Sequence, residues 1–211
     1  MNHKDGLKKK VIRAASKAFI QRGIKGVRMD DIASSIAMSK RTIYELFKDK
    51  ESLLVECIIE DQRRMDIYMH RVVQQTDNVI EIILLAFKRR MKQLLKVNKL
   101  FFEDLRKYPK VYRMVKDYNK EYREESIRFF KAGIEQGLLR SDINFDIMDL
   151  LIREQLDVLT NTNIYRGYSF AEVYEAIIFT YIRGVSTLKG LTLLDELIEQ
   201  YKDESSRKEI K

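Results

Sequence analysis

The 211-residue sequence contains only one cysteine, one proline and eight glycines. The single cysteine, Cys57, excludes an intramolecular disulfide and is typical of proteins that work in a reducing compartment. So few prolines and glycines supply too few turn signals for an all-β fold. Leu, Ile, Lys, Glu and Arg are abundant instead, as long helices require. The composition therefore predicts an all-α protein.

Long apolar runs are also missing from the chain. The longest covers residues 82–87, far below the roughly 20 residues that a membrane-spanning helix needs. The first ten residues lack the apolar stretch of a secretory signal. We therefore expect a cytoplasmic protein with no membrane partner.

Residue patterns that support catalysis are absent as well. No CxxC, HExxH, GxxxxGK or GxSxG sequence occurs, and neither His3 nor His70 is close to Cys57 in the sequence. Cys57 lies in the apolar stretch 53–59, which predicts a buried thiol. We expect no enzymatic activity, no cofactor and no metal site.

The excess of positive charge is confined to the first quarter of the chain. Residues 1–50 contain thirteen Lys/Arg and five Asp/Glu and so carry the whole net charge of +8, whereas residues 51–211 contain 27 of each sign. This distribution is typical of nucleic-acid-binding modules, in which Lys and Arg neutralise phosphates. From charge alone, a solvated basic face is an equally good interpretation.

The first 60 residues show four short helices separated by turn signals. Apolar residues recur at helical spacing over 7–19, and Gly23 ends this first helix. Two short helices joined by a tight turn at 37–38 predict a helix-turn-helix. The later helices are predicted over about 30–36, over about 40–47 with Ser39 as N-cap, and from about 50 with Asp49 as N-cap.

The outward residues of the third helix distinguish a DNA-binding helix-turn-helix from an ordinary three-helix bundle. They are Lys40, Arg41, Tyr44 and Lys48, with Glu45 as the one acidic counterweight. A solvated face usually mixes charges of both signs. The pattern therefore favours a helix that contacts DNA.

Residues 31–54 resemble the signature of the TetR family of transcription regulators. The matching segments, at the spacing of that family, are Asp31-Ile32-Ala33, Ser39-Lys40, Thr42-Ile43-Tyr44, Phe47 and Lys50-Glu51-Ser52-Leu53-Leu54. The resemblance is close over about residues 7–58 and only architectural beyond them. It implies a homodimer that binds a palindromic operator in double-stranded DNA, usually as a ligand-responsive repressor. Each chain would have a helix-turn-helix DNA-binding domain at 1–50 and a larger helical ligand-binding and dimerisation domain at 51–211.

Eight residues are the predicted DNA contacts. Lys40 and Arg41, at the start of the third helix, can reach base edges or phosphates, and Thr42 can contact a thymine methyl group or a phosphate. The resemblance implies that Tyr44 and Lys50 hold the phosphate backbone without distinguishing bases. The other predicted phosphate contacts are Ser39, Lys48 and Arg28.

Two positions depart from the family pattern. Members usually carry glycine where Ala37 stands, so a positive φ at Ala37 would cost about 1 kcal/mol. Members usually carry Thr or Ser where Met29 stands, so one expected helix cap and one expected phosphate contact are missing.

Beyond residue 60 the sequence predicts helices and no strands, with boundaries that include Gly137, residues 166–169 and Gly190. Ser169 is the predicted N-cap of a helix that begins at residue 170. The resemblance implies dimerisation through helices over about 145–163 and 170–189, although their apolar stripes also fit an intramolecular core. A helix over about 50–74 would link this region to the DNA-binding domain.

Aromatic and methionine residues cluster in the middle of the chain and favour an unidentified small apolar or amphipathic effector. Any one of these side chains is more often core than pocket, and control without a ligand or by a protein partner stays open. The ligand-binding candidates are Phe87, Met91, Phe101, Phe102, Tyr112 and Tyr122.

The alternative function is a helical ligand-binding or interaction module whose basic N-terminus binds membrane or RNA. Cations over residues 8–17 lie opposite an apolar stripe, as in a helix at a membrane surface. Positive charge on the third helix argues against this alternative. A helical enzyme is the weakest hypothesis, because catalytic groups are lacking.

Overall fold

The computed structural model of the protein describes residues 3–111, 113–114, 123–161 and 167–208. Helices dominate these ranges, which contain no strand beyond one isolated bridge, and the predicted all-α fold is confirmed. None of the helices described there is both long and apolar enough to cross a membrane. The helices are α1 (His3–Arg22), α2 (Met29–Ser35), α3 (Lys40–Leu46), α4 (Lys50–Gln75), α5 (Val79–Leu94), α6 (Lys99–Leu105), α7 (Arg123–Glu135), α8 (Phe145–Asn161), α9 (Phe170–Val185) and α10 (Leu188–Lys208).

The described residues form two compact units. The first unit contains residues within 1–68, 93–121 and 160–163, and the second contains residues within 69–92, 122–159 and 164–211. The first unit therefore includes the helix-turn-helix, most of α4 and the whole of α6. The division by function at residue 50 stays a prediction.

In the first unit, α1 packs against α2 and α6, and α2 packs against α3. Cys57 of α4 is buried in the core of this unit, and its Sγ–H donates to the carbonyl oxygen of Ile12 at 3.6 Å. Burial raises the pKa of Cys57 to about 12, so the group is a thiol at neutral pH. The predicted buried thiol is confirmed. The core is formed by Val11, Ile12, Ala15, Phe19, Ile24, Val27, Met29, Ile32, Ala33, Ile43, Phe47, Leu53, Leu54, Cys57, Leu105 and Val111.

The helix caps predicted from local sequence are confirmed. Ser39 Oγ accepts from the backbone N–H of Thr42 at 3.0 Å, and Asp49 Oδ1 accepts from the N–H of Ser52 at 2.7 Å. Ser169 and Glu172 form a reciprocal capping box at the start of α9. Each cap depends on residues three positions apart, which is why local sequence was sufficient to find them.

The predicted helix boundary at Gly190 is wrong. The break comes earlier, because the chain at 185–187 pairs with a distant extended segment: the N–H of Arg140 donates to Val185 at 2.8 Å, and the N–H of Thr187 donates to Leu138 at 3.0 Å. Gly190 lies inside α10, where a Cβ would collide with the carbonyl oxygen of Leu138. This glycine therefore serves a close approach and not a turn.

Candidate DNA interface

A tight turn joins α2 to α3. The N–H of Ala37 donates to Ser34 at 3.2 Å and the N–H of Met38 donates to Ala33 at 2.9 Å, the pair of bonds that defines a Schellman motif. Ala37 occupies the left-handed position of that motif with a φ of +52°. The positive φ expected at Ala37 is confirmed, and the turn therefore carries a small strain.

Replacing Ala37 by glycine is expected to raise the free energy of unfolding by about 0.5–1 kcal/mol, because glycine adopts this φ without a Cβ penalty. Denaturant titration followed by circular dichroism measures the change. Ala14→Gly, the same chemical change inside α1, should instead lower stability by about 0.5–1 kcal/mol. A less stable Ala37→Gly protein would show that the turn is not strained.

The sequence predicted a missing cap at the start of α2, because Met29 stands where Thr or Ser is usual. The structure shows another cap in its place. Met29 is the first helical residue and its side chain is buried in the core of the first unit. The N–H of the preceding Arg28 donates to Asp31 Oδ2 at 2.9 Å, so an acidic side chain three positions later satisfies the helix start. The side chain of Arg28 is left exposed beside this cap.

The two candidate base-contacting residues are each held in an exposed ion pair. Lys40 Nζ lies 2.7 Å from Asp30 Oδ2, and Arg41 Nε lies 2.8 Å from Glu45 Oε1. The hydrogen bond to its carboxylate raises the pKa of each cation. Exposed pairs of this kind contribute little free energy. Phosphates or base edges can therefore replace the carboxylates at small cost.

The rest of α3 has a clear inner and outer side. Ile43 and the C-cap residue Phe47 are buried in the core, whereas Tyr44 is 45% exposed. The hydroxyls of Ser39 and Thr42 are 2.7 Å apart and hydrogen-bonded to each other at the start of the helix. Among the predicted DNA contacts, Thr42 is half-buried. The exposed ones are Arg28, Ser39, Lys40, Arg41, Tyr44 and Lys48.

Lys50 differs from the other predicted contacts, because its ammonium group faces inward. Its Nζ donates to the carbonyl oxygens of Ile24 at 2.9 Å and Val27 at 3.0 Å. Partial burial lowers the pKa of Lys50, and the negative charge of Asp104 opposes that shift. These two bonds use two of the three donors of the ammonium group. Nothing in the local sequence indicated this contact, since its partners lie more than 20 positions away.

The effector candidates are divided between the two units. In the second unit, Phe87 stacks on Tyr174 with ring centroids 6.1 Å apart and meets Phe179 edge-on at 5.0 Å. In the first unit, Phe101 contacts Phe102 edge-on at 5.6 Å and packs against the core. Met91 is half-buried on α5, and Tyr112 and Tyr122 lie outside the described residues. The effector site stays a prediction.

Comparison with known proteins identifies this arrangement. The sequence model of the family described as bacterial regulatory proteins, TetR family, matches residues 11–57, which contain the helix-turn-helix. The HTH-type transcriptional regulator UidR of Escherichia coli (strain K12) is 26% identical over 176 residues, which cover 80% of this chain and 89% of UidR. The helix-turn-helix segment thus matches the TetR family, and the chain is similar to a TetR-type regulator over most of its length. The resemblance of residues 31–54 to the family signature is thus confirmed.

Several solved structures share the fold of this chain. A transcriptional regulator from Cytophaga hutchinsonii ATCC 33406 is similar with a TM-score of 0.68 at 18% identity, over 87% of this chain and all of the other. A putative regulator from Saccharomonospora viridis, in complex with choline, gives 0.64 at 17% identity, over 87% and 99%. The fatty acid degradation regulator FadR from Bacillus halodurans gives 0.62 at 16% identity, over 86% and 96%.

Proposed function

We propose that this protein is a TetR-family regulator that binds an inverted repeat in double-stranded DNA as a homodimer, with α3 of each protomer in the major groove. One observation carries the proposal: α3 exposes Lys40, Arg41 and Tyr44 while Ile43 and Phe47 fix its inner side in the core. A two-fold dimer would place its two copies of α3 roughly 34–36 Å apart, or a multiple of that, to match successive grooves.

An apolar surface in the second unit supports the homodimer. Ile147, Leu150 and Leu151 of α8 are 55%, 56% and 49% exposed and follow one another at helical spacing. On α9, Ala176 and Gly184 are exposed, and a Cβ at Gly184 would meet nothing within 4 Å. An exposed apolar stripe on one helix and exposed small residues on the next fit close packing against a second copy of α8 and α9. The proposed interface therefore lies within the helices that the sequence predicted, 145–163 and 170–189.

A small apolar or amphipathic effector in the region 51–211 completes the proposal. Support comes from the aromatic group Phe87, Tyr174 and Phe179 and from the relative that was solved with choline. Binding of the effector would weaken operator affinity and relieve repression. We propose no catalytic step and place this function in the cytoplasm, where the operator is.

Selection of bound duplexes from a random DNA pool, with the full-length protein at moderate salt, tests the proposal. We expect recovery of an inverted repeat with half-sites about one helical turn apart or a multiple of it. Recovery of unenriched DNA, with binding that only fades as salt rises, would contradict it. Binding to RNA or to anionic vesicles would then favour the alternative of a basic interaction module.

Arg41→Ala is expected to cost about 1–3 kcal/mol of operator affinity and to relax the preference at one base position, because its guanidinium is assigned to a base edge. Titration of duplexes that vary at each position measures both effects. Tyr44→Phe is the matched comparison, since loss of a phosphate contact should weaken all sequences by the same factor. Equal weakening of all sequences by Arg41→Ala would rule out its base contact.

A further inference from the structure

The turn between α1 and α2, residues 23–27, leads directly into the helix-turn-helix. Its first N–H, that of Gly23, donates back to the carbonyl oxygen of Phe19 in α1 at 2.9 Å, and within the turn the N–H of Val27 donates to the carbonyl oxygen of Ile24 at 3.4 Å. The N–H of Lys25 and the carbonyl of Val27 need partners elsewhere. We call residues 23–27 the entry turn.

A carboxylate from α6 supplies the first of these partners. Asp104 Oδ2 accepts from the N–H of Lys25 at 2.7 Å, across 79 positions of sequence. Asp104 is only 7% exposed, and its other oxygen lies 3.3 Å from Nζ of Lys107, whose side chain is largely exposed. A buried carboxylate costs free energy unless hydrogen bonds satisfy it. Its bond to the entry turn is therefore a specific constraint on that turn.

An ammonium group from α4 supplies the second partner. Lys50 Nζ donates to the carbonyl oxygens of Ile24 and Val27, which lie on either side of Lys25 in the entry turn. Two side chains of opposite charge, from two different helices, thus hold one short turn through its backbone. Because both bond to backbone groups, they restrain the backbone of the entry turn directly.

Helix α6 is also fitted closely to the end of α1. The N–H of Asn98 donates to Ile20 at 2.8 Å, and its Nδ2 donates to Gln21 at 3.2 Å. A Cβ at Gly23 would come within 2.8 Å of Leu100 Cβ. The position of α6 and the conformation of the entry turn therefore depend on each other.

We propose that Asp104 and Lys50 are positioning residues for DNA recognition, which hold the entry turn and through it the placement of α2 and α3. This inference rests on the proposed function of α3 in DNA binding. Neither residue needs to contact a base for this role. A movement of α6 would reach the helix-turn-helix through the bond between Asp104 and Lys25.

The test uses full-length variants and two measurements, hydrogen exchange by mass spectrometry and DNA affinity. In Asp104→Ala, we expect exchange over the entry turn to rise roughly tenfold and affinity for the selected operator to fall roughly tenfold. Affinity for random duplex should not change, because it depends on exposed cations. Asp104→Asn keeps an acceptor oxygen, so its exchange over the entry turn and its operator affinity should stay close to those of the wild-type protein.

Lys107→Ala is the matched control, because it removes the partner of the other Asp104 oxygen and leaves the bond to Lys25 intact. It should change neither exchange nor operator preference. Lys50→Met should raise exchange over the entry turn in the same way. For Lys50 only exchange is informative, since this residue is also a predicted phosphate contact.

Three results would overturn the proposal. The first is unchanged exchange over the entry turn in Asp104→Ala. The second is faster exchange with an unchanged ratio of operator to random-duplex affinity, which would leave Asp104 a structural residue only. The third is the same effect from Lys107→Ala. If the wild-type protein selects no DNA, the proposed function fails, and exchange over residues 28–46 in Asp104→Ala still decides whether Asp104 holds α2 and α3.

Discussion

Glutamate at both Leu150 and Leu151 is expected to make the protein a monomer and to weaken binding to a two-half-site operator by roughly 10²–10⁴-fold. Both side chains are about half exposed on α8, where the proposed partner would bury them. Burying two carboxylates without partners would oppose association strongly. Binding to a single half-site should not change, because α3 is untouched. Sedimentation and fluorescence anisotropy with full and half operators measure the two effects.

Leu95→Glu is the matched control for this experiment. Leu95 is 72% exposed but lies just after the end of α5, away from α8 and α9 in the sequence. We expect this variant to remain a dimer with full operator affinity. A wild-type protein that sediments as a monomer would remove the dimer from the proposed function. Equal loss from Leu95→Glu would mean that added charge, and not the α8 surface, is responsible.

Gly23→Ala is expected to lower the free energy of unfolding by about 2–5 kcal/mol. Gly23 has a φ of +76°, which costs an L-residue about 1–2 kcal/mol. In addition, the new Cβ would lie 2.8 Å from Leu100 Cβ and 3.1 Å from Asp104 Oδ2, and overpacking of this kind costs about 1–3 kcal/mol. Denaturant unfolding followed by circular dichroism gives the change directly.

Gly137→Ala separates the two contributions to this cost. Gly137 has a similar φ of +67°, but a Cβ there would meet nothing within 4 Å. This variant should lose only the backbone share, about 1–2 kcal/mol. If both variants lost the same stability, the new Cβ at position 23 would add no steric cost. This result would show that α6 can move away from the turn.

Sequence reasoning succeeded where the interactions are local. The caps at Ser39, Asp49 and Ser169 and the positive φ of Ala37 all depend on residues a few positions apart, so their pattern is visible in the chain itself. The exposed cations of α3 followed from helical spacing in the same way. The resemblance to the family signature then predicted that this surface contacts DNA.

Sequence reasoning failed where distant segments meet. The break between α9 and α10 depends on backbone bonds from Leu138 and Arg140, which no pattern around Gly190 could reveal. No sequence pattern distinguishes Asp104 from other acidic residues, because its partner is a backbone group, the N–H of Lys25. The inward contacts of Lys50 were missed for the same reason. Such contacts follow from tertiary packing and not from composition or period.

The shared core of the first unit limits how DNA-binding specificity can be exchanged between relatives. Leu105 and Val111 are buried together with Ile32 and Ile43 of the helix-turn-helix, so a chimaera joined at residue 50 would place a foreign α6 against α1. Such a chimaera would need a small residue at the site of Gly23 from one parent and an acceptor at the site of Asp104 from the other. We therefore expect the exchange of DNA-binding segments between related regulators to yield working proteins only when α4 and α6 are transferred together with the first three helices.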